Sequence, residues 1–128
     1  MSTYRFDKLL APRSVALVGA VAREGSLGRS VLDSLRRAGF PGAILPVQPD
    51  HDSVDGLPCV PRVADLTMVP DLVLIAVPPP SVPEVVAQAA AIGAGAAVIL
   101  TARLGRGPED PGPVAHRIAR AKGLRLLG

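Results

Sequence analysis

Aromatic residues are scarce in this chain of 128 residues: Tyr4, Phe6 and Phe40 are its complete set, and tryptophan is absent. A surface that binds nucleic acid usually combines clustered positive charge with aromatic side chains that stack on the bases. Here the net charge is only +3, and the arginines are scattered along the chain. We therefore expect no nucleic-acid partner, and a mild attraction for small anions such as phosphates.

Cysteine is nearly absent as well, since Cys59 is the single one. One cysteine excludes an internal disulfide and a metal site built from several cysteines, and it is typical of the reducing cytoplasm. Residues 1–8 are polar and do not resemble a signal peptide, and the apolar runs are too short to span a membrane. These features predict a cytoplasmic protein without a membrane partner.

Apolar and amphipathic segments alternate along the chain, of which 48% is hydrophobic. The apolar runs predict strands at residues 14–18, 43–47, 71–77, 96–101 and 124–127, with an edge strand at 57–60. The amphipathic stretches predict helices at residues 28–38, 82–92 and 113–122, a helical turn at 63–66 and a short helix at 6–10. This alternation predicts an α/β fold: one three-layer domain with a Rossmann-like, doubly wound parallel sheet.

The predicted strand order, 3-2-1-4-5-6, reverses direction between strand 14–18 and strand 71–77. Ligands of such sheets bind at the carboxyl ends of the strands, beside this reversal. Gly19 and Pro78 follow these two strands in the sequence. We therefore expect them to face each other across a binding crevice.

Glycines follow the first strand at positions 19, 25 and 28, just before a predicted helix. Glycine allows a sharp turn and close approach to a ligand, and a helix start offers unpaired N–H groups to a phosphate. Ser26 would cap this helix, bond a phosphate, or do both. The arrangement predicts a phosphorylated ligand.

An NAD(P)-binding domain of an oxidoreductase is one alternative for this ligand. However, the spacing G-x-G-x-x-G is absent, and the second strand ends in Val47, Gln48 and Pro49 rather than in an acidic residue that would bind the ribose. Triads of catalytic residues, paired carboxylates and clusters of metal ligands are also missing from the pattern. We therefore expect this chain alone to bind a ligand and not to catalyse a reaction.

Seven blocks together resemble the CoA-binding domain of the succinyl-CoA synthetase α-subunit and ADP-forming acyl-CoA synthetase superfamily, which also occurs beside the GNAT domain of bacterial protein acetyltransferases. They are Leu10–Ala20 (LAPRSVALVGA), Gly25–Gly28 (GSLG), Leu45–Pro49 (LPVQP), Gly56–Pro61 (GLPCVP), Val69–Leu72 (VPDL), Ala76–Pro78 (AVP) and Gly123–Gly128 (GLRLLG). The resemblance implies CoA or acyl-CoA as ligand. It also implies that this chain is the first part of a longer protein, with further domains or a partner subunit that carry out the thioester chemistry.

The resemblance also implies which residues would contact CoA. The phosphates would lie on the loop, the adenosine and a phosphate beside the second strand, and the thiol arm along the next two strands. In that order the residues are Gly19, Ala20, Val21, Ala22, Arg23, Glu24, Gly25 and Ser26; Val47, Gln48, Pro49 and His51; and Val77, Pro78, Thr101 and Ala102. Val21, Gln48 and Arg103 depart from the family pattern, and a regulatory module whose nucleotide pocket has decayed is therefore a second alternative.

Overall fold

A parallel sheet of five strands forms the centre of this computed structural model, which describes residues 11–128. The strands are β1 (Ser14–Gly19), β2 (Ala43–Val47), β3 (Ser53–Val54), β4 (Leu57–Pro58), β5 (Leu72–Ala76), β6 (Ala96–Ile99) and β7 (Arg125–Leu127). The helices are α1 (Leu27–Arg37), α2 (Val82–Ala91) and α3 (Pro111–Lys122), and short 3₁₀ turns lie at Val63–Asp65 and Pro79–Ser81. The order of the sheet is β2-β1-β5-β6-β7.

The two faces of the sheet are covered by different helices, because alternate side chains of a strand point in opposite directions. In β1, Leu17 packs in a cluster with Leu32 of α1. Its neighbour Val18 belongs to the cluster that contains Val82 of α2 and Ala115 of α3. One face of the sheet is therefore covered by α1 and the other by α2 and α3. This arrangement confirms the three-layer, doubly wound α/β architecture.

The neighbouring position of β1 and β5 confirms the predicted reversal of the sheet. The prediction that residues 57–60 form the edge strand of the main sheet is wrong, because β3 and β4 form a separate antiparallel hairpin. Asp55 and Gly56 have φ of 52° and 80°, as a two-residue Asp-Gly hairpin turn requires. Val60 makes one parallel bridge to Val47. Pro58 and Pro61, which lack N–H groups, flank this region, so a full strand cannot form along β2.

Most predicted helices agree with the structure within one residue at each end, while α3 begins two residues earlier than expected. Pro111 occupies the first helical position and Asp110 precedes it as the N-cap residue. Proline is favoured there because its missing N–H would have no partner in the first turn. The predicted helix at residues 6–10 lies outside the described residues. Within residues 11–128, no helix has the length and apolar character needed to cross a bilayer.

Candidate functional site

A cavity of about 580 Å³ lies at the carboxyl ends of β1, β2 and β5, where the sheet reverses direction. Seven of the residues that the sequence predicts for the ligand line it: Gly19, Ala20, Val47, Gln48, Pro49, Val77 and Pro78. Gly19 and Pro78 both line it, as expected for a crevice between these strands. The volume lies in the range typical of small-molecule sites.

Gly19 at the end of β1 lies very close to the neighbouring strand. Its φ is 151°, and a Cβ atom added there would lie 2.5 Å from the carbonyl oxygen of Ala76. Any larger residue would therefore push β1 away from β5 at the point where the cavity begins. The sequence feature that marks the site, a glycine directly after the first apolar run, thus has a packing reason.

The loop after β1 is held by its own hydrogen bonds. The N–H of Val21 donates to the carbonyl of Gly19 at 2.8 Å, and the N–H of Arg23 donates to the carbonyl of Ala20 at 3.2 Å. The hydroxyl of Ser26 donates to the carbonyl of Ala20 and accepts from the N–H of Arg29 at 3.0 Å, which caps α1. These contacts fix the turn before any ligand arrives, and Ser26 acts as the helix cap.

Gln48 connects this loop to the end of β2. The residue is buried, with a relative exposure of only 5%. The carbonyl oxygen Oε1 accepts from the N–H of Ala22 at 2.8 Å, and Nε2 lies 2.9 Å from Nδ1 of His51. Nε2 of Gln48 can only donate, so Nδ1 of His51 is the acceptor. The proton of the neutral His51 imidazole is therefore on the other ring nitrogen, Nε2 of His51.

Four polar side chains on the other side of the cavity were missed in the sequence: Arg62, Ser81, Glu84 and Gln88. Ser81, Glu84 and Gln88 are spaced by three and four residues, so Glu84 and Gln88 lie on one face of α2, in line with Ser81 at the end of the turn before it. That polar stripe, beginning where Pro78 ends a strand, is the signal that could have found them. Val18, Asp50, Pro61, Val63 and Val85 complete the lining.

The remaining predicted residues lie outside this cavity. The side chain of Val21 is fully buried with Leu17 and Leu32 in an apolar cluster. The side chains of Arg23, Glu24 and His51 are exposed. Ala22, Gly25 and Ser26 contribute to the loop without lining the cavity, and Ala102 is likewise outside it.

A second cavity of about 680 Å³ lies beyond β5, and Thr101 lines it together with Arg103 and Arg106. The Thr101 hydroxyl donates to the carbonyl of Val77 at 2.6 Å. Since Val77 lines the first cavity, this bond joins a residue of the second cavity to a residue of the first. Arg103, where φ is 62°, adopts the left-handed conformation that favours glycine.

The hairpin β3–β4 is attached to α1 by charged groups. Arg29 donates to both carboxylate oxygens of Asp55, at 3.1 and 2.7 Å. The Arg29 guanidinium lowers the pKa of Asp55, chiefly through these hydrogen bonds. Because the pair is at the surface, it positions the hairpin more than it stabilises the fold.

The described residues contain neither a cluster of metal ligands nor a reactive thiol. Among residues 11–128, no three His, Cys, Asp or Glu side chains lie together as metal ligands would. Burial raises the pKa of the Cys59 thiol, and nearby Asp52 raises it further. A thiol with a raised pKa is a poor nucleophile, because less of it is thiolate at neutral pH.

Comparisons with known proteins identify the family of this chain. A family model described as a CoA binding domain matches residues 13–128. Acetate–CoA ligase (ADP-forming) II of Archaeoglobus fulgidus is 36% identical over 123 residues, which cover 94% of this chain and 18% of that protein. A trans-feruloyl-CoA synthase from an unknown prokaryotic organism is 39% identical over 109 residues, covering 85% of this chain and 15% of that protein.

A solved structure shares the fold of this chain. Acetyl-coenzyme A synthetase 1 of Ca. Korarchaeum cryptofilum, described as dinucleotide forming and solved in complex with phosphate and ADP, superposes with a TM-score of 0.88. It is 32% identical, and the match covers 96% of this chain and 27% of that one. The chain spans less than a fifth of the two curated relatives, 18% and 15% of their lengths. The chain belongs to the CoA binding domain family, over a stretch that it shares with ADP-forming acetate–CoA ligases.

Proposed function

We propose that this chain binds CoA or acyl-CoA in the cavity at the carboxyl ends of β1, β2 and β5. The observation that carries the proposal is the cavity between Gly19 and Pro78, at the reversal point of a sheet whose family is described as CoA binding. Its lining combines apolar side chains such as Val47 and Val77 with a few polar groups. A ligand with a nucleotide head and a long, mostly apolar arm suits such a lining.

The phosphates of CoA would lie toward the loop after β1. The N–H groups of Val21, Ala22 and Arg23 already donate within the protein. The amides of Glu24 and Gly25, together with the start of α1, are therefore among the donors that this loop offers to an anion. The Nε2–H of His51, set by Gln48, would add one more donor beside the adenosine.

The arm of CoA would run along Val77 and Pro78 toward Thr101. Val77 lines the first cavity and Thr101 the second, and one hydrogen bond joins them. Ala102 follows Thr101 in the chain and is exposed. The thiol would then emerge on the side of the sheet where a catalytic partner domain can reach it.

The whole protein, in this proposal, is an ADP-forming acyl-CoA synthetase in which other domains or a partner subunit form the thioester. The shared stretch of 123 residues with an ADP-forming ligase, and its small share of that protein, support this assignment. The names of these relatives favour a synthetase over a protein acyltransferase. CoA is a substrate of such an enzyme rather than a resident cofactor.

Titration calorimetry tests the proposal on the purified chain with CoA, ADP and NAD in parallel. We expect micromolar binding of CoA, weaker binding of ADP and none of NAD. Ala20→Trp fills the cavity and should abolish CoA binding, whereas Ala121→Trp, at an exposed position of α3, should not. Tighter binding of NAD than CoA would favour the oxidoreductase alternative, and absence of all binding would favour a decayed pocket.

A further inference from the structure

The α2 side of the cavity carries a row of polar groups that CoA phosphates do not need. Ser81, Glu84 and Gln88 line the cavity from α2 and the turn before it. The opposite side differs, because the loop after β1 and the end of β2 form it and the carboxamide of Gln48 is already bonded to Ala22 and His51. The two sides therefore suit different parts of one ligand.

Gln88 holds Glu84 in place. The N–H of Ala64 donates to Oε1 of Gln88 at 3.1 Å, and Nε2 of Gln88 donates to Oε1 of Glu84 at 3.0 Å. If the carboxamide of Gln88 were turned over, its NH₂ group would face the N–H of Ala64 and its oxygen would face the carboxylate of Glu84. Both contacts would be repulsive, so this orientation is fixed. Oε2 of Glu84 has no hydrogen-bond donor among residues 11–128, and it remains an acceptor for a ligand.

The charge on this side is unfavourable for phosphate. Arg62 lines the cavity, but its guanidinium is held by Asp65 through bonds of 3.1 and 3.3 Å. Asp65 raises the pKa of Arg62, and the charge of Glu84 raises it further. The carboxylates of Asp65 and Glu84 together carry one more charge than the guanidinium of Arg62, so this side of the cavity has a net negative charge. Such a side favours a neutral ligand group that carries N–H donors.

We propose that Glu84 selects the adenine base of the ligand by accepting a hydrogen bond from its exocyclic 6-amino group. The inference rests on the proposed function, because the adenosine end of CoA is the part that carries such a group. A purine with a 6-oxo group presents an acceptor at the same place, and its oxygen is repelled by the carboxylate. Gln88 is the positioning residue, since it acts on the ligand only through Glu84.

The test compares CoA with its hypoxanthine analogue, in which an oxo group replaces the 6-amino group. We expect the wild-type chain to bind CoA about tenfold more tightly than the analogue. In Glu84→Gln, the bond from Gln88 still needs an acceptor, so the new carboxamide offers its oxygen to Gln88 and its nitrogen to the ligand. The preference for CoA should then disappear or reverse.

Glu109→Gln is the matched control, because Glu109 is exposed in the loop before α3 and lines neither cavity. It removes the same charge and should keep the wild-type ratio of affinities. Thermal unfolding of each variant checks that the fold is retained, and the ratio of two ligands on one protein is insensitive to partial loss of folded material.

The outcomes separate the two proposals. A tenfold preference that survives in Glu84→Gln overturns the role of Glu84 and leaves CoA binding intact. Equal affinity of the wild-type chain for CoA and its analogue overturns selection of the base at this site. Binding of neither ligand contradicts the proposed function, and this inference falls with it.

Discussion

The side-chain oxygen Oε1 of Gln48 accepts a hydrogen bond from the backbone N–H of Ala22 at 2.8 Å. This bond joins the loop after β1 to the end of β2, and it lies beside the cavity that Gln48 lines. Gln48 as a residue is only 5% exposed, so water cannot easily take the place of its carboxamide. The shape of the loop therefore depends on one buried side chain from another strand.

Replacing Gln48 by leucine should release the loop. The N–H of Ala22 would lose its acceptor, at a cost of about 1–3 kcal/mol of unfolding free energy, and CoA affinity should fall about tenfold as the loop loosens. Hydrogen exchange measures this directly, as faster exchange of the Ala22 amide. Gln88→Leu is the comparison, since it removes a carboxamide from the α2 side and should leave Ala22 unchanged. Slow exchange at Ala22 in Gln48→Leu would contradict this role.

Serine at position 21 should weaken the fold rather than improve the site. Val21 is fully buried among Leu17, Leu32 and Val54, so a hydroxyl there would face apolar side chains. We expect Val21→Ser to lower the unfolding free energy by about 2 kcal/mol and to leave CoA affinity unchanged. Urea denaturation measures the first effect and calorimetry the second.

Val21→Ala serves as the comparison for this substitution. It removes methyl groups without adding a hydroxyl, so the difference between the two variants gives the cost of burying the hydroxyl. A serine variant that binds CoA more tightly than wild type would show instead that position 21 supplies a phosphate donor.

Alanine at position 19 should destabilise the junction of β1 and β5. The new Cβ would lie 2.5 Å from the carbonyl oxygen of Ala76, and the positive φ adds strain. We expect Gly19→Ala to cost about 3 kcal/mol, measured by urea denaturation. Gly93→Ala isolates the effect of conformation, since φ there is 82° but a Cβ atom would contact nothing. An equal cost at both positions would contradict the close approach at Gly19.

The Arg29–Asp55 pair should stabilise the chain only above acidic pH. Arg29 lowers the pKa of Asp55 in the folded chain, so the folded carboxylate holds its proton less tightly than the unfolded one. Its stabilisation is therefore fully present above the ordinary carboxyl pKa of about 3.9 and is lost as the pH falls through the lower folded value.

The pH dependence of unfolding in wild type and Asp55→Asn checks this sign. The difference in unfolding free energy should be constant near neutrality and should vanish in acid. Glu109→Gln, at an exposed position of the loop before α3, is the control and should show no such change. A difference that persists in strong acid would assign the effect of Asp55 to something other than its charge.

The sequence predicts the layers of this fold well, because strongly apolar runs such as residues 72–76 can only be interior strands. It fails at residues 53–60, where an Asp-Gly turn and two flanking prolines compete with pairing along β2. The hairpin turn wins because Asp55 and Gly56 adopt positive φ and because prolines cannot donate to a neighbouring strand.

The candidate site is predicted only in part. Gly19 and Pro78 are found because turns follow strands in a recognisable pattern. Glu84 and Gln88 escape notice because a polar face on a surface helix is usually solvated, and only the crossover of the chain brings this face to the cavity. Position 21 is misleading for a related reason: a loop residue can turn inward, as Val21 does, and the sequence does not show its direction.

Chemical-shift mapping during a CoA titration tests the central claim most directly. In ¹⁵N spectra of the chain, we expect CoA to shift the amides of Gly19, Ala20, Gln48 and Val77, which belong to residues of the cavity at the carboxyl ends of β1, β2 and β5. The shifts should saturate together with one dissociation constant. Shifts confined to residues around the second cavity, such as Arg103 and His116, or no shifts at all, would contradict the proposal that this cavity binds CoA.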